Sequence, residues 1–440
     1  MRNYIEKLLA EQRFRIVERE VDPRFELAAV IVRSQAQSDA PILFRKVKGS
    51  KLPVVSNLYG SRKRLGELIG AGDDDFCRRW QALASKRGPI AEAAAAAFEY
   101  EECRLSDLPN ITYFEKDAAP YITAGVFLAK EPDSGVPNLS FHRCMMVSDT
   151  ELRVRLGRTH DLTKYQAKAQ ERGQALEAAI LIGAAPQFVL AAAAPLPHDE
   201  SELEIAERIA GVRVPMRRCR HIDLEVPAGA EIVIEGRFVP GALGAEAPFG
   251  EFQGYYVPQI ESPVFEVLGV TVRKGAYFHG LVCGYPEDLR LLEIAIATQI
   301  YRSLAEKLPG IIDVACVPHV MGTVVKIRQQ YEGHAKQVLL TAIGANHDWS
   351  KSCIVVDEDV DITDFGDVWW AFLTRARPDQ RVMVLPGVPG FFRDPWKDHW
   401  GRLAIDATIP FDRRDEYIRK KVPGADTLKA ADYFVQAPDL

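Results

Sequence analysis

A chain of 440 residues with 47% hydrophobic content can hold roughly two or three domains, each with its own core. The formal net charge of −6 is mild and no broad basic face stands out, so no nucleic-acid partner is expected; the short cluster Arg62-Lys63-Arg64 reads as a solvated helix or loop end. The N-terminal stretch lacks the apolar core and cleavage site of a signal peptide, no run of about 18 apolar residues predicts a membrane span, and the seven cysteines stand singly without a CxxC pair, which together favour a reducing, cytoplasmic location.

Residues 1–16 mix charges with apolar residues at helical spacing and predict a short amphipathic helix. Strands are predicted at 27–32 and 41–47, and 53–60 reads as a buried strand ending at a turn. Helices are predicted at 61–69 and over the alanine-rich run 90–98. These elements make an N-terminal α/β domain, residues 1–115. Short β-rich runs then dominate, at 144–148, 151–156, 178–182, 231–234, 265–272 and 277–282, with helices near 162–172 and 202–210. They predict a barrel-like β domain with peripheral helices, residues 116–300. A long helix at about 291–308 leads into strands at 324–328 and 352–356 alternating with helices at 332–342 and 365–374, a C-terminal α/β domain over 301–440. No GxGxxG after a strand, GxxxxGK[ST], HExxH or GxSxG occurs, so ordinary dinucleotide, ATP, zinc-protease and serine-hydrolase readings lose most of their weight.

Reactive side chains concentrate in three places. The first is Asn138-Leu139-Ser140-Phe141-His142-Arg143, where an extended chain puts Asn138, Ser140 and His142 on one face and Arg143 on the other, unless it turns. The second is Glu246-Ala247-Pro248-Phe249-Gly250-Glu251, whose two carboxylates flank a Pro and a Gly and so belong to an irregular loop. Two acids near an arginine suit proton transfer to a decarboxylated carbon: the guanidinium clamps a carboxylate, one acid holds geometry and the other carries the proton. The third is the polar loop from Pro195 to Glu202, which runs into a helix and can offer a carboxylate to a hard cation. Each place also has a plain reading: a turn cap at Asn138, a surface ion pair at Arg143, solvated loop acids at Glu246 and Glu251, and a helix N-terminus favoured by Glu200 or Glu202.

The ordered set Asn138…Arg143, His160, Pro195-Leu196-Pro197…Glu202 and Glu246…Glu251 resembles the UbiD family of reversible decarboxylases. Further landmarks are Asn57 to Arg62, Pro248 to Tyr255, Gly333-His334-Ala335-Lys336, Asp357 to Asp361 with Asp367 to Ala371, and Ile405-Asp406-Ala407-Thr408. The resemblance extends from about residue 25 to 410. It implies an N-terminal α/β domain, a central flavin-reductase-like split β-barrel and a C-terminal α/β domain. It also implies prenylated FMN, held through its phosphate by a divalent metal, Mn²⁺ or Mg²⁺, with K⁺ nearby.

By the same resemblance Asn138, His160 and Glu202 would hold the metal, and Glu246, Arg143 and Glu251 would be the catalytic set. Cofactor contacts would come from Asn138 to Arg143 (Leu139, Ser140, Phe141 and His142 included), Thr159, His160, Ala192, Ala193, Pro195, Glu202 and Arg402. The carbonyls of Ala191 to Ala194 would hold potassium. Three positions depart from the family pattern: Ala247 replaces a common Gly and is tolerated unless φ is positive there, Arg402 stands for a Lys, and Thr159 for a Gln. The implied reaction removes CO₂ from a small aromatic, heteroaromatic or α,β-unsaturated acid, with a flavin prenyltransferase as cofactor supplier and a homodimer or a hexamer of dimers as the assembly. The segment 387–400, rich in Pro and aromatics, is a candidate pocket wall or lid, and equally reads as a surface loop. Two alternatives are an ordinary FMN-dependent split-barrel oxidoreductase and a non-catalytic subunit of a larger carboxylase.

Overall fold

The structure, a computed structural model, describes residues 1–86, 88–92, 98–157, 160–196, 200–345, 350–388, 390, 401–425, 427–428 and 433. At the N-terminus a four-stranded sheet runs in the order Arg15–Val17, Ile42–Phe44, Val54–Ser56 and Phe278–His279. The last strand returns from residues beyond the barrel strands and lies parallel to Val54–Ser56. Residues 27–32 are predicted as a strand but form the body of a helix, Glu26–Gln35, which buries Leu27, Ala28 and Ile31 on one face. The β-branched run Val30-Ile31-Val32 is the misleading signal, since a short apolar run does not by itself separate strand from buried helix. The alanine-rich run also departs from its predicted helix: Ala91–Glu92 form a short strand beside Val212–Arg213, and 93–97 lie outside the described residues.

The centre is a nine-stranded sheet in the order Tyr121–Ile122, Cys144–Ser148, Glu151–Val154, Ile260–Arg273, Ile232–Glu246, Leu176–Ile182, Val126–Lys130 and Pro137–Phe141, with Tyr100–Cys103 added beside Ile260–Arg273. Every neighbouring pair is antiparallel. The two ends of this path do not pair among the described residues, so the barrel is split rather than closed. Two strands are much longer than their apolar runs suggest, at 15 and 14 residues, and the register slips between Phe238 and Leu243 where they pair. Beyond that slip Leu243 to Glu246 pair with Ile260 to Pro263, and Glu246 ends the strand.

A 20-residue helix, Pro286–Ala305, connects to a five-stranded sheet ordered Ile311–Cys316, Gly322–Ile327, Ser352–Asp357, Gly401–Asp406 and Val382–Pro386. One apolar core runs through all parts of the chain: Leu8 and Trp80, barrel residues Leu128 and Leu181, Ile296 and Ile300 of the long helix, and Val325 of the last sheet are all buried within it. The fold is therefore mixed α/β throughout, and the N-terminal part also meets the C-terminal part directly, through Arg62 and Cys77 on Asp313 and Lys326 on Asp74. Among the described residues no helix is long and apolar enough to cross a membrane.

Candidate active site

The strand Pro137–Phe141 ends the barrel path, so one edge stays free of sheet pairing and its side chains reach neighbouring elements. Ser140 Oγ bonds to Asn138 Oδ1 at 3.1 Å and to His142 Nε2 at 3.0 Å, which places all three side chains on one face. Arg143 turns the other way.

That turn brings Arg143 to both candidate acids. Its Nε and Nη2 donate to the two oxygens of Glu246 at 2.9 and 3.0 Å, a bidentate pair, and its Nη1 donates to Glu251 Oε1. Glu246 is fully buried and Glu251 nearly so. The guanidinium lies 4.5 Å from the centre of the Phe249 ring. Tyr121 supports the arrangement: its hydroxyl donates to Glu246 Oε1 at 3.1 Å and accepts the Ala247 N–H at 3.2 Å. Three of the five guanidinium N–H groups are thus engaged with carboxylates.

The loop that carries Glu251 is pinned from several sides. Gly250 donates its N–H to Asp117, and a Cβ at Gly250 would lie 2.4 Å from the Phe114 ring, so glycine is needed there for close approach. Ala247 has φ of 71°, the left-handed region, which is the condition under which its replacement of glycine carries a cost. Glu246 itself ends a strand instead of lying in an irregular loop, while Glu251 follows the short strand Phe249–Gly250.

On the opposite side of the same segment, the helix Glu202–Ala210 starts with Ser201 as its cap. Ser201 Oγ accepts the Leu203 N–H and donates to the Pro137 carbonyl, fixing the helix start against the strand. Glu202, buried, accepts the Leu139 N–H at 2.9 Å and a hydrogen bond from the Asn138 side chain. Burial pushes its carboxyl up to about 7, with Asp161 adding to the rise and three hydrogen bonds, from the Leu139 and Glu202 N–H groups and the Asn138 side chain, opposing it. His142 is buried and held well below the usual imidazole range, first by burial and then by His160. The His160 ring packs 5.2 Å from the His142 ring, and His160 caps the helix Asp161–Glu171. Glu202, Asn138, Ser140, His142 and His160 therefore form one chain of contacts. Among the described residues no three His, Cys, Asp or Glu side chains gather into a metal cage, so any cation here would depend on the amide oxygen of Asn138 as well.

Ala192 and Ala193 follow the C-terminal end of the helix Pro186–Ala191, where Ala193 and Ala194 donate to the Leu190 and Ala191 carbonyls; with Pro195 they are partly buried. Arg402 is buried on the strand Gly401–Asp406, and its Nη1 donates to the Ser350 carbonyl, a bond that ties it to the C-terminal sheet. Thr159 lies outside the described residues, as does most of the segment 387–400. Tyr121 and the Phe249 ring touch the candidate catalytic set, and sequence reasoning does not assign either of them to it. Phe249 sits inside the acidic motif, but nothing local to Tyr121 points to a partner 125 residues away.

Comparison with known proteins covers nearly the whole chain. Models of three domains of 3-octaprenyl-4-hydroxybenzoate carboxy-lyase (UbiD) match in sequence order: the N-terminal domain over residues 5–84, the Rift-related domain over 83–286 and the C-terminal domain over 290–407. An anhydromevalonate phosphate decarboxylase from Methanothermobacter thermautotrophicus is 32% identical, covering 95% of this chain and 99% of its own length. The structure of the UbiD-class enzyme HmfF from Pelotomaculum thermopropionicum, in complex with FMN, superposes with a TM-score of 0.91 at 33% identity, over 98% of this chain and 99% of that one. An evolved dimeric form of HmfF in complex with prFMN gives a TM-score of 0.87 at 33% identity, with the same coverage.

Proposed function

This chain belongs to the UbiD family of decarboxylases, and from that premise we propose that it removes CO₂ from a small aromatic, heteroaromatic or α,β-unsaturated acid, using prenylated FMN and a divalent metal. The observation that carries this reading is the buried Glu246–Arg143–Glu251 set. An ordinary FMN oxidoreductase has no use for two acids locked on one arginine, and neither does a non-catalytic subunit.

The residues present suit the cofactor and its metal. Glu202 is a buried carboxyl whose neighbours are an amide, a backbone N–H and a second acid, a set whose oxygens suit a hard cation. Asn138, His160 and Glu202 would hold Mn²⁺ or Mg²⁺, with the imidazole favouring manganese. The carbonyls of Ala191 to Ala194, at and beyond the C-terminal end of the helix Pro186–Ala191, would hold K⁺. When bound, the prenylated flavin supplies the electron sink for CO₂ loss.

The protein's own groups handle charge and protons. Arg143 has two N–H groups beyond the three given to Glu246 and Glu251, and these receive the substrate carboxylate. Glu246, gripped by two bonds and by Tyr121, keeps the guanidinium in place. A carboxylate on those two N–H groups puts three carboxylates around one arginine, with Glu251 beside it at Nη1, so a proton is best held on Glu251. Released from Arg143, the Glu251 carboxyl delivers that proton to the carbon that has lost CO₂.

The test is to co-express the chain with a flavin prenyltransferase, record the spectrum and mass of the bound flavin, and assay CO₂ release from a panel of acids that includes anhydromevalonate phosphate. Retention of a prenylated flavin with CO₂ release from one acid supports the reading, and a loaded enzyme inert to the whole panel counts against the substrate class. The C-terminal region exposes Trp369, Leu373 and Val384, which supports a homodimer or a hexamer of dimers. A monomer by light scattering at micromolar concentration overturns that assembly.

A further inference from the structure

The residue after the proposed proton donor is held by a histidine from the C-terminal part of the chain. His319 Nε2 lies 2.9 Å from the Phe252 carbonyl, and the two rings stack at 5.9 Å with 17° between their planes. The other ring nitrogen, Nδ1, accepts the Met321 N–H at 3.3 Å. A backbone N–H can only donate and a carbonyl can only accept, so the proton of a neutral His319 belongs on Nε2. The Phe252 ring is itself buried in the core that joins all parts of the chain. From the remaining side Gly284, at φ of 78°, leaves so little room that a Cβ there would lie 3.0 Å from Phe252 Cα, 3.1 Å from its carbonyl oxygen and 3.4 Å from the Glu251 carbonyl oxygen. The Gly284 N–H is fixed in turn by Asp288 Oδ2 at 2.7 Å, on the first turn of Pro286–Ala305. Within its own hairpin, turn bonds link the Glu251 N–H to the Tyr255 carbonyl and the Gly254 N–H to the Glu251 carbonyl.

We infer that His319 is a positioning residue for Glu251: its Nε2–H and ring clamp Phe252, so the C-terminal region sets where the Glu251 carboxyl stands relative to Arg143. This rests on the reading of Glu251 as proton donor and deepens it. The acid must leave the guanidinium and reach carbon, and a displacement of about 1 Å in such a group costs on the order of 10²-fold in rate. A side chain that fixes the adjacent backbone therefore acts on the proton-transfer step and not on substrate binding.

The experiment compares His319→Phe, which keeps a stacking ring and removes the donor, with His319→Gln, which keeps a donor and removes the ring. Both are studied in flavin-loaded enzyme beside Glu251→Gln. His319→Phe is expected to lower kcat about 10-fold to 10²-fold with KM changed less than about twofold, and to raise the solvent deuterium isotope effect on kcat. His319→Gln is expected to recover most of kcat. In cofactor-free protein, amide exchange across residues 249–257 is expected to speed up in His319→Phe and less in His319→Gln. Wild-type kcat, isotope effect and exchange in a folded His319→Phe overturn the inference, as does a loss confined to thermal stability. If His319→Phe does not fold, a His319→Gln enzyme with slowed kcat and an unchanged isotope effect also overturns it. If Glu251→Gln turns over like wild type, the proton-donor assignment fails whatever His319 does, while the exchange experiment still reports on the clamp.

Discussion

At the Arg143 end of the segment Asn138 to Arg143, two buried carboxylates close on one guanidinium; at the Asn138 end, buried Glu202 accepts the Leu139 N–H and a hydrogen bond from the Asn138 side chain, with Asp161 near it. The two ends are only a few residues apart, Asn138 on the strand Pro137–Phe141 and Arg143 just beyond it, yet they solve the burial of acid charge differently. The first compensates it internally, with a cation the chain itself provides. At the second, burial outweighs the hydrogen bonds and pushes the carboxyl up to about 7. Under the proposed function the guanidinium-paired end carries the proton chemistry and the amide-lined end would hold the metal.

Removing the cation gives the largest expected effect on this contrast. Arg143→Ala leaves Glu246 and Glu251 buried without their partner, which is expected to cost about 3–5 kcal/mol of stability at neutral pH and to abolish decarboxylation. Chemical denaturation at pH 7 measures the first part; a variant as stable as wild type there means that the acids are not held by Arg143. Glu251→Gln comes next and separates chemistry from charge balance. The rate of CO₂ release from loaded enzyme is expected to fall on the order of 10²–10⁴-fold with flavin and metal content near wild type. Flavin lost in parallel with activity makes the residue structural.

The metal-free protein sharpens the other end. Because the folded-state value of Glu202 stands above its ordinary 4.5, the folded protein keeps this proton while the unfolded chain has already released it. Its contribution to stability is therefore complete below about pH 4.5 and is lost as pH rises toward 7, by up to on the order of 3 kcal/mol. Unfolding curves from pH 4.5 to 7.5 should show that decline in wild type and a flatter profile in Glu202→Gln, and Mn²⁺ should remove the decline in wild type alone. Identical profiles with and without Glu202 disprove the assignment. The smallest effect lies at Ala247. Ala247→Gly relieves a left-handed backbone and is expected to raise stability by about 1 kcal/mol, reduced by the greater freedom of glycine in the unfolded chain. A lowered melting temperature contradicts it.

Residue types and local periodicity were enough to establish much of this protein. The alternation of an extended chain put Asn138, Ser140 and His142 together and sent Arg143 away, and the apolar spacing of Glu202–Ala210 marked a helix whose first turn carries the acid. The order of the motifs carried the resemblance, to which the three matching domain models and the superposed HmfF fold give the family. Where local signals were two-edged, as in the β-branched run of Glu26–Gln35, burial against the rest of the chain chose the helix. Tertiary structure alone decided that Arg143 would meet acids 103 and 108 residues later, that Tyr121 would brace one of them, and that His319 would clamp the loop bearing the other. The physical reason is range: side-chain periodicity is set by a residue's immediate neighbours, whereas an ion pair exists only where the packing of distant strands, here with a slipped register, brings the charges within a few ångströms and takes away the water that would otherwise screen them.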